Sequence, residues 1–225
     1  MSSVLLIPLV GPMQSWGTRS RFQERDTERE PSKSGVIGLL CAALGRDRSA
    51  PLDDLTVLKM GVRVDQEGYL TKDFQTAQNV AKASDSGTED LISNRYYLSD
   101  ASFLIGLEGD DAKWLRHLHS ALATPVWMLF LGRKSYVPSL PLYLPDGFIE
   151  DSDLRSALLN YPLLFRSKQQ KNIRIILESS SVTHESRMDT PVSFAHGRRE
   201  FRERFVKMEF LPAETLAFEG GYLCI

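Results

Sequence analysis

A short apolar run at the start of the chain places the strongest constraint on its fold. Residues 4–10 (VLLIPLV) are almost all apolar, which is typical of a buried strand. The next stretch, 11–23 (GPMQSWGTRSRFQ), carries an amide, an indole and two arginines, where a plain connector would be rich in Asn, Asp, Gly and Ser. The sequence therefore predicts a core strand that ends in a loop whose side chains are suited to bind a ligand.

The hydrophobic periodicity then changes from strand to helix and back. A 3.6-residue apolar period over residues 36–44 predicts a helix that begins near Ser32 or Ser34 and ends at Gly45. Further predicted elements are strands at 59–65, 97–107 and 126–131 and an amphipathic helix at 111–123. Residues 71–94 contain few large apolar side chains and a Ser-Asp-Ser-Gly turn, which favours a projecting hairpin or arm.

This element order indicates an α+β protein. The order β-α-β-arm-β-α-β is that of the split unit found in ferredoxin-like and RRM-type domains. Pro and Gly recur within residues 137–150, and the clearest predicted strands after them are at 173–177 and 204–210. We expect an RRM-like domain over residues 1–136, including an arm at about 71–96, and a smaller C-terminal β subdomain over 137–225.

Composition limits the classes of function. The 225 residues carry a net charge of −2, so any surface that binds nucleic acid must be local. The two cysteines form no C-x-x-C pair, and no Walker, H-E-x-x-H or G-x-S-x-G motif is present. We expect no metal and no cofactor. Because no apolar window approaches the length needed to span a bilayer, we also expect a cytoplasmic protein that does not contact a membrane.

Local basic segments are the informative signal. Residues 187–207 interleave arginines with phenylalanines, and a Gly-Arg-Lys-Ser stretch follows residue 131. Such segments bind phosphates and stack on unpaired bases, although a solvated charged surface explains the same composition equally well. The start of the first helix leaves two further alternatives. Lys33 and free N–H groups there would hold a phosphate, or the segment is a simple helix cap.

Four motifs occur in a characteristic order between Leu9 and Pro138. They are LVGPMQSWG (9–17), PSKSGVIGLLCAALG (31–45), RYYLSDASFLIGL (95–107) and FLGRKSYVP (130–138). Together they closely resemble the CasD family of the RAMP superfamily, and the resemblance thins after about residue 150. CasD is the subunit that binds the 5′ handle of the guide RNA (crRNA) in type I-E Cascade, a CRISPR surveillance complex of antiviral defence.

The resemblance implies an RRM-like (RAMP) domain with a β-hairpin thumb and a small C-terminal β subdomain. It also implies contacts with a CasC-like backbone subunit and with the large CasA-like subunit that reads the PAM, and hence an indirect association with target DNA. In this interpretation cationic side chains neutralise RNA phosphates. Met13, Trp16 and Tyr96 stack on bases or fill space beside them, and Gln14 contacts the polar edges of bases. Trp16 has an alternative role, packing over the end of the sheet. The residues expected to bind RNA are Met13, Gln14, Trp16, Arg19, Arg21, Lys33, Ser34, Lys72, Gln75, Arg95, Tyr96, Arg133, Lys134, Arg187, Arg198, Arg199 and Arg204.

Two other functions stay open beside this non-catalytic role. A generic RRM-like RNA-binding adaptor is one of them. The other is a metal-independent endoribonuclease that processes CRISPR precursor RNA. Some relatives in another subtype have this activity, which the resemblance associates with a site of Tyr, Lys and His. In those relatives a Tyr follows the first helix and a Lys-His pair lies beyond the arm. Here Gly45-Arg46-Asp47 follows the helix, and the chain contains no Lys-His dipeptide.

We therefore predict that the purified chain, incubated with its repeat RNA in EDTA, forms no cleavage product. Cleavage needs one group to deprotonate the 2′-OH and another to support the leaving 5′ oxygen, and no such pair is in place. Denaturing gel electrophoresis against RNA incubated without protein measures the outcome. A product of defined length would establish the endoribonuclease alternative.

Overall fold

The computed structural model describes residues 2–18, 23–82, 84, 86–165 and 171–217. The strands are β1 (Ser3–Gln14), β2 (Glu24–Arg25), β3 (Lys59–Gln66), β4 (Tyr69–Ala81), β5 (Thr88–Gly109), β6 (Phe148–Ile149), β7 (Asn172–Ser179), β8 (Glu185–Ser193) and β9 (Glu200–Pro212). The helices are α1 (Lys33–Leu44), α2 (Asp53–Thr56), α3 (Ala112–Ala123) and α4 (Leu154–Asn160), with a 3₁₀ turn at Ala213–Thr215.

One sheet organises these elements. Its strand order is β6-β1-β5-β3-β7-β9-β8, and the neighbours along this path are antiparallel. The first four strands have the order expected of a ferredoxin-like unit. The long strand β5 has two roles, because its second half lies between β1 and β3 while its first half pairs with β4 in the projecting hairpin. The predicted α+β class and the predicted hairpin are confirmed.

The fourth strand of this unit is not where the sequence predicts it. Residues 126–131 form no strand, and the edge position beside β1 is occupied by the two-residue strand β6. The backbone N–H groups of Val126 and Trp127 donate instead to the carbonyls of Ala43 and Ala42 at the end of α1. A helix leaves its last carbonyls without intrahelical partners, and this segment satisfies two of them. The strand prediction for 126–131 is therefore wrong.

The first helix follows its sequence signals closely. The Ser32 hydroxyl accepts a hydrogen bond from the Gly35 N–H and caps α1, and Gly45 ends the helix in the left-handed conformation with φ of 68°. Both predicted boundaries are confirmed.

The C-terminal strands continue the same sheet, since β7 pairs with β3 from Gly61 opposite Leu177 to Val64 opposite Arg174. The division of the chain at residue 136 stays a prediction.

Two glycines allow α4 to lie close against the back of the sheet. Gly61 in β3 and Gly106 in β5 are cross-strand neighbours. A Cβ atom at Gly61 would lie 2.8 Å from Leu158, and one at Gly106 would lie 2.7 Å from Leu154. Since both leucines belong to α4, a larger residue at either position would force these leucine side chains to move.

A buried ion pair anchors the chain that follows α4. Arg63 and Asp65 on β3 are 0% and 1% exposed, and the Arg63 Nε lies 2.7 Å from the Asp65 Oδ1. The guanidinium also donates to the carbonyls of Leu158, Tyr161 and Pro162, and Asp65 accepts the Leu164 N–H. All of these bonds hold residues 158–164 against the sheet.

We predict that Asp65→Asn lowers the free energy of unfolding by about 3–5 kcal/mol, because it leaves the Arg63 charge buried without a counterion. Urea unfolding at neutral pH, followed by tryptophan fluorescence, measures the change. The control is Asp110→Asn, since Asp110 is exposed. A loss below about 1 kcal/mol, the range of an exposed pair, would contradict the anchoring role.

Candidate nucleic-acid interface

A cavity of about 430 Å³ opens where β1 ends and α1 begins. We name it the basic cavity, because its described lining includes four arginines beside the acidic Asp26. The arginines are Arg25, Arg95, Arg133 and Arg199. Ser34 at the start of α1 and the aromatic ring of Phe194 also line it.

Backbone pairing brings three of these arginines together. The short strand β2 pairs in parallel with β5, which sets Arg25 directly opposite Arg95. Arg133 reaches the same place from a loop, where its guanidinium donates to the carbonyls of Arg25 at 3.2 Å and Tyr96 at 2.8 Å. It also donates to the hydroxyl of Tyr136 at 2.7 Å. The fourth arginine, Arg199, comes from the turn that precedes β9 and lies over the ring of Phe201.

Among the described residues, these four guanidinium groups have no acidic partner. Within that part of the chain, none of them lies within 4.0 Å of a carboxylate oxygen. Two like charges directly opposite each other on paired strands destabilise the pairing. A bound anion would remove this cost. The cavity therefore has the charge and the hydrogen-bond donors to bind phosphate groups.

The structure buries Gln14 and Trp16, two of the residues that the sequence predicts to bind RNA. Gln14 is fully buried, and its amide donates to the carbonyls of Leu9 at 3.0 Å and Ala101 at 2.8 Å. Its amide oxygen accepts the indole N–H of Trp16 at 3.2 Å. Trp16 is 1% exposed, and its ring packs so closely on α1 that a Cβ atom at Gly35 would lie 2.8 Å from it. Both side chains therefore hold the end of β1 in place, which supports the packing role of Trp16, and Trp16 also lines the basic cavity.

Three predicted phosphate-binding cations are also neutralised inside the protein. Lys33 is 2% exposed and its Nζ lies 2.9 Å from both oxygens of Glu178. Burial lowers the pKa of Lys33, although Glu178 opposes this shift. Arg204 forms a two-bond pair with Asp189 at 2.6 and 2.9 Å. Both charges already have partners away from solvent, so the structure gives the predicted RNA contacts of Lys33 and Arg204 no support, and they stay predictions.

Arg187 is the third of these cations. It pairs with Glu30 and with Glu185, at 2.5 and 2.9 Å, and its side chain is mostly buried. The start of α1 is likewise occupied, because the Lys33 N–H donates to Asp189 at 2.8 Å. Of the two alternatives for this helix end, the structure supports the cap and not a phosphate site built on Lys33.

The other predicted residues fall into three groups. Ser34, Arg95, Arg133 and Arg199 line the basic cavity, and Lys134 and Arg198 are exposed residues next to Arg133 and Arg199 in the sequence. Lys72, Gln75 and Tyr96 lie on the hairpin, where Lys72 is directly opposite Tyr96, and Met13 is half-buried against the core. Arg19 and Arg21 lie outside the described residues.

Arg25 and Phe194 are among the lining residues of the cavity that the predicted set lacks. Arg25 reaches the site only because β2 pairs with a strand far along the chain, and nothing in the sequence near Arg25 signals that pairing. Phe194 lies in the stretch of alternating basic and aromatic residues, and this composition was the signal that could have identified it.

The described residues contain no group of three or more His, Cys, Asp or Glu side chains arranged to hold a metal ion. Nor do they include a helix with the length and apolar character needed to cross a membrane.

Comparisons with known proteins agree with this architecture. The family described as CRISPR-associated protein (Cas_Cas5) matches residues 4–207. The Escherichia coli (strain K12) protein named CRISPR system Cascade subunit CasD is 34% identical over 177 residues, which cover 72% of this chain and 78% of that protein.

Two solved structures are similar over nearly the whole chain. One, titled "Crystal structure of Cas protein", has a TM-score of 0.78 and 46% identity, and the match covers 98% of this chain and 100% of that one. A chain of a "CRISPR RNA-guided surveillance complex" has a TM-score of 0.79 and 32% identity, with 96% and 94% covered.

We predict that Asp189→Asn removes a pH-dependent part of the stability. Burial is the largest single influence and would raise the pKa of Asp189, but Arg204, the Lys33 N–H and the Arg187 charge together hold the pKa below the ordinary 3.8. The native state therefore favours the ionised form, and this stability is present above pH 3.8 and is lost as the pH falls through the lowered pKa. The unfolding free energies of wild type and variant should differ most near neutral pH and converge in acid. A difference that does not change with pH would contradict this role.

Proposed function

The chain belongs to the CRISPR-associated Cas5 family, and on that premise we propose that it binds guide RNA as a subunit of a Cascade-type surveillance complex. The E. coli relative is named as a subunit of Cascade, and one of the similar solved chains comes from an RNA-guided surveillance complex. Both likenesses extend over more than two thirds of this chain, with identities of 34% and 32%. The role would place the chain in a cytoplasmic ribonucleoprotein.

The pairing of Arg25 with Arg95 is the observation that carries the proposal. Two arginines lie directly opposite each other on paired strands, the guanidinium of a third is bonded to the backbone beside them, and none of the three has a carboxylate partner among the described residues. A protein gains nothing in folding free energy from such an arrangement. An RNA backbone that runs through the basic cavity would supply the missing negative charge.

The cavity favours an unpaired strand over a duplex. Its volume of about 430 Å³ suits a single nucleotide step, and a duplex would meet only its mouth. Phe194 offers an aromatic face for a base, while Arg199 and Arg133 approach from the loops on either side. Single-stranded RNA is bound by this combination of cationic side chains and aromatic faces.

The finer assignment rests on the resemblance of the sequence motifs. We propose that the bound segment is the 5′ handle of the crRNA in a type I-E complex, and that the β4–β5 hairpin crosses the RNA near the handle–spacer junction. Lys72 and Tyr96 share one face of this hairpin with the exposed Phe74. The adjoining CasC-like backbone subunit and the CasA-like large subunit are the proposed protein partners.

The cavity supports binding without cleavage. Its described lining residues include no histidine, lysine or tyrosine, so the Tyr/Lys/His site of the endoribonuclease alternative has no counterpart among them. Arginine remains protonated in proteins and binds phosphate without exchanging protons. We therefore propose a non-catalytic role for the chain.

We predict that Arg95→Gln and Arg199→Gln each weaken binding of an RNA that carries the repeat-derived 5′ handle by about tenfold or more. A hydrogen bond to a charged group contributes about 1.5–3 kcal/mol, and about 1.4 kcal/mol corresponds to tenfold. Each variant should also lower the salt dependence, log Kd against log salt, by about 0.7 for each phosphate that is no longer neutralised. Fluorescence anisotropy over a salt series measures both quantities.

The control for this experiment is Arg48→Gln, because Arg48 is an exposed arginine in the loop after α1 and outside the cavity. Arg133 is a poor choice for the test, since its three hydrogen bonds also support the loop. Equal weakening by Arg48→Gln would show a diffuse charge effect. Equal affinity for a scrambled handle in the assembled complex would reject specific recognition of the handle.

A further inference from the structure

A second cavity lies next to the first and differs from it in charge. It has a volume of about 710 Å³ and is formed by the segment 28–32, Glu67 and the facing parts of β8 and β9. Ser32 lines both cavities, so the segment that precedes α1 separates them. We name this second cavity the acidic groove.

Two cations that line the acidic groove, Arg174 and Arg187, are already paired. Arg174 donates to Glu30 at 2.7 Å and to both oxygens of Glu67 at 2.8 and 2.7 Å. Arg187 forms ion pairs with Glu30 and with Glu185. A guanidinium that is held by two carboxylates has little remaining attraction for a phosphate. This differs from the basic cavity, where no arginine has a carboxylate partner among the described residues, a state that only the exposed Arg29 shares among the described arginines of the groove.

The balance of charge in the groove is negative. Among the described residues, five carboxylates and three guanidinium groups line it, a formal charge of −2. Two of the carboxylates remain accessible at the rim, since the side chains of Glu67 and Glu185 are 46% and 54% exposed. Such a rim repels the RNA backbone and attracts cationic side chains.

Exposed apolar side chains accompany this charge. Met188 on β8 is 60% exposed and Met208 on β9 is 37% exposed, and both line the groove. Phe210 is 63% exposed and lies two residues beyond Met208, on the same face of β9. Methionine and aromatic side chains are enriched at protein–protein interfaces, where flexible methionines adapt to the partner.

We propose that the acidic groove docks another protein subunit, through a segment that presents Arg or Lys beside an apolar side chain. The cation would pair with Glu67 or Glu185, and the apolar group would cover Met188 and Met208. This inference rests on the proposed function, because the partner is a subunit of the same complex. The docked segment would lie against the opposite side of the 28–32 segment from the RNA, so protein and RNA would occupy separate surfaces.

The test uses two charge changes in the complete complex, co-expressed with its guide RNA and the other Cascade subunits. Met188→Glu and Glu185→Lys are the test variants. The matched controls are Val182→Glu and Glu214→Lys, since Val182 is 73% exposed, Glu214 is also exposed and neither lines the groove. Native mass spectrometry measures which subunits remain bound, and anisotropy measures handle-RNA binding by the isolated chain.

We expect both test variants to weaken the retention of one particular protein subunit about tenfold or more, as for the loss of an interface hot spot, while the controls retain it. Handle-RNA binding by the isolated chain should stay unchanged in all four. Full retention of every subunit by Met188→Glu and Glu185→Lys would overturn the docking proposal alone. A wild-type chain that joins no complex and binds no handle RNA would overturn the proposed function as well.

Photo-cross-linking identifies the occupant directly. With benzoylphenylalanine in place of Met188, we expect a cross-link to a peptide of another subunit that contains Arg or Lys next to an apolar residue. The same substitution at Val182 should give no such product. A cross-link to the guide RNA, or to a second copy of this chain, would overturn the proposal.

Discussion

Buried charge beneath the start of α1 is the constraint on which much of the structure depends. Lys33 and Asp189 are both almost fully buried, and an ion in a protein interior is tolerated only when it is paired and hydrogen-bonded. Lys33 finds its partner in Glu178, which is 145 residues away in the sequence. Asp189 binds both Arg204 and the first N–H of the helix. Strands β7, β8 and β9 are therefore held against the first helix by interactions that cannot be broken without leaving an uncompensated charge.

Pairing with glutamates separates most of the described arginines that line the two cavities into two sets. Those facing the acidic groove, such as Arg174 and Arg187, are held by glutamates and serve the fold. Arg25 and Arg95 lie beyond the reach of those glutamates and keep their charge available in the basic cavity. Two adjacent surfaces of opposite charge result, for which we propose RNA and a protein as the respective partners. The 28–32 segment separates them, which gives each surface its own electrostatic environment.

Local signals predicted much of the scaffold. The helix from Lys33 to Leu44 depends on a serine cap, an apolar period and a terminal glycine, all between Ser32 and Gly45, and its boundaries were predicted correctly. The hairpin was predicted because residues 71–94 are mostly polar with a turn in their middle, and such a stretch is not expected to be buried in a hydrophobic core. The strand prediction for residues 126–131 was wrong for a non-local reason. Its apolar composition suits a strand, but its N–H groups bind the carbonyls at the end of α1.

The sequence by itself determined most of the elements, their order and the family, because apolar periods, caps and motif spacings are short-range properties of the chain. It also pointed to the end of β1 as the place of the candidate site. Only the tertiary structure decided which polar residues there face the cavity. Gln14 and Trp16 bond to each other and to the core, whereas Arg25 reaches the cavity through a long-range strand pairing. Whether a charge is free or neutralised depends on groups far away in sequence, and only the folded chain brings these together.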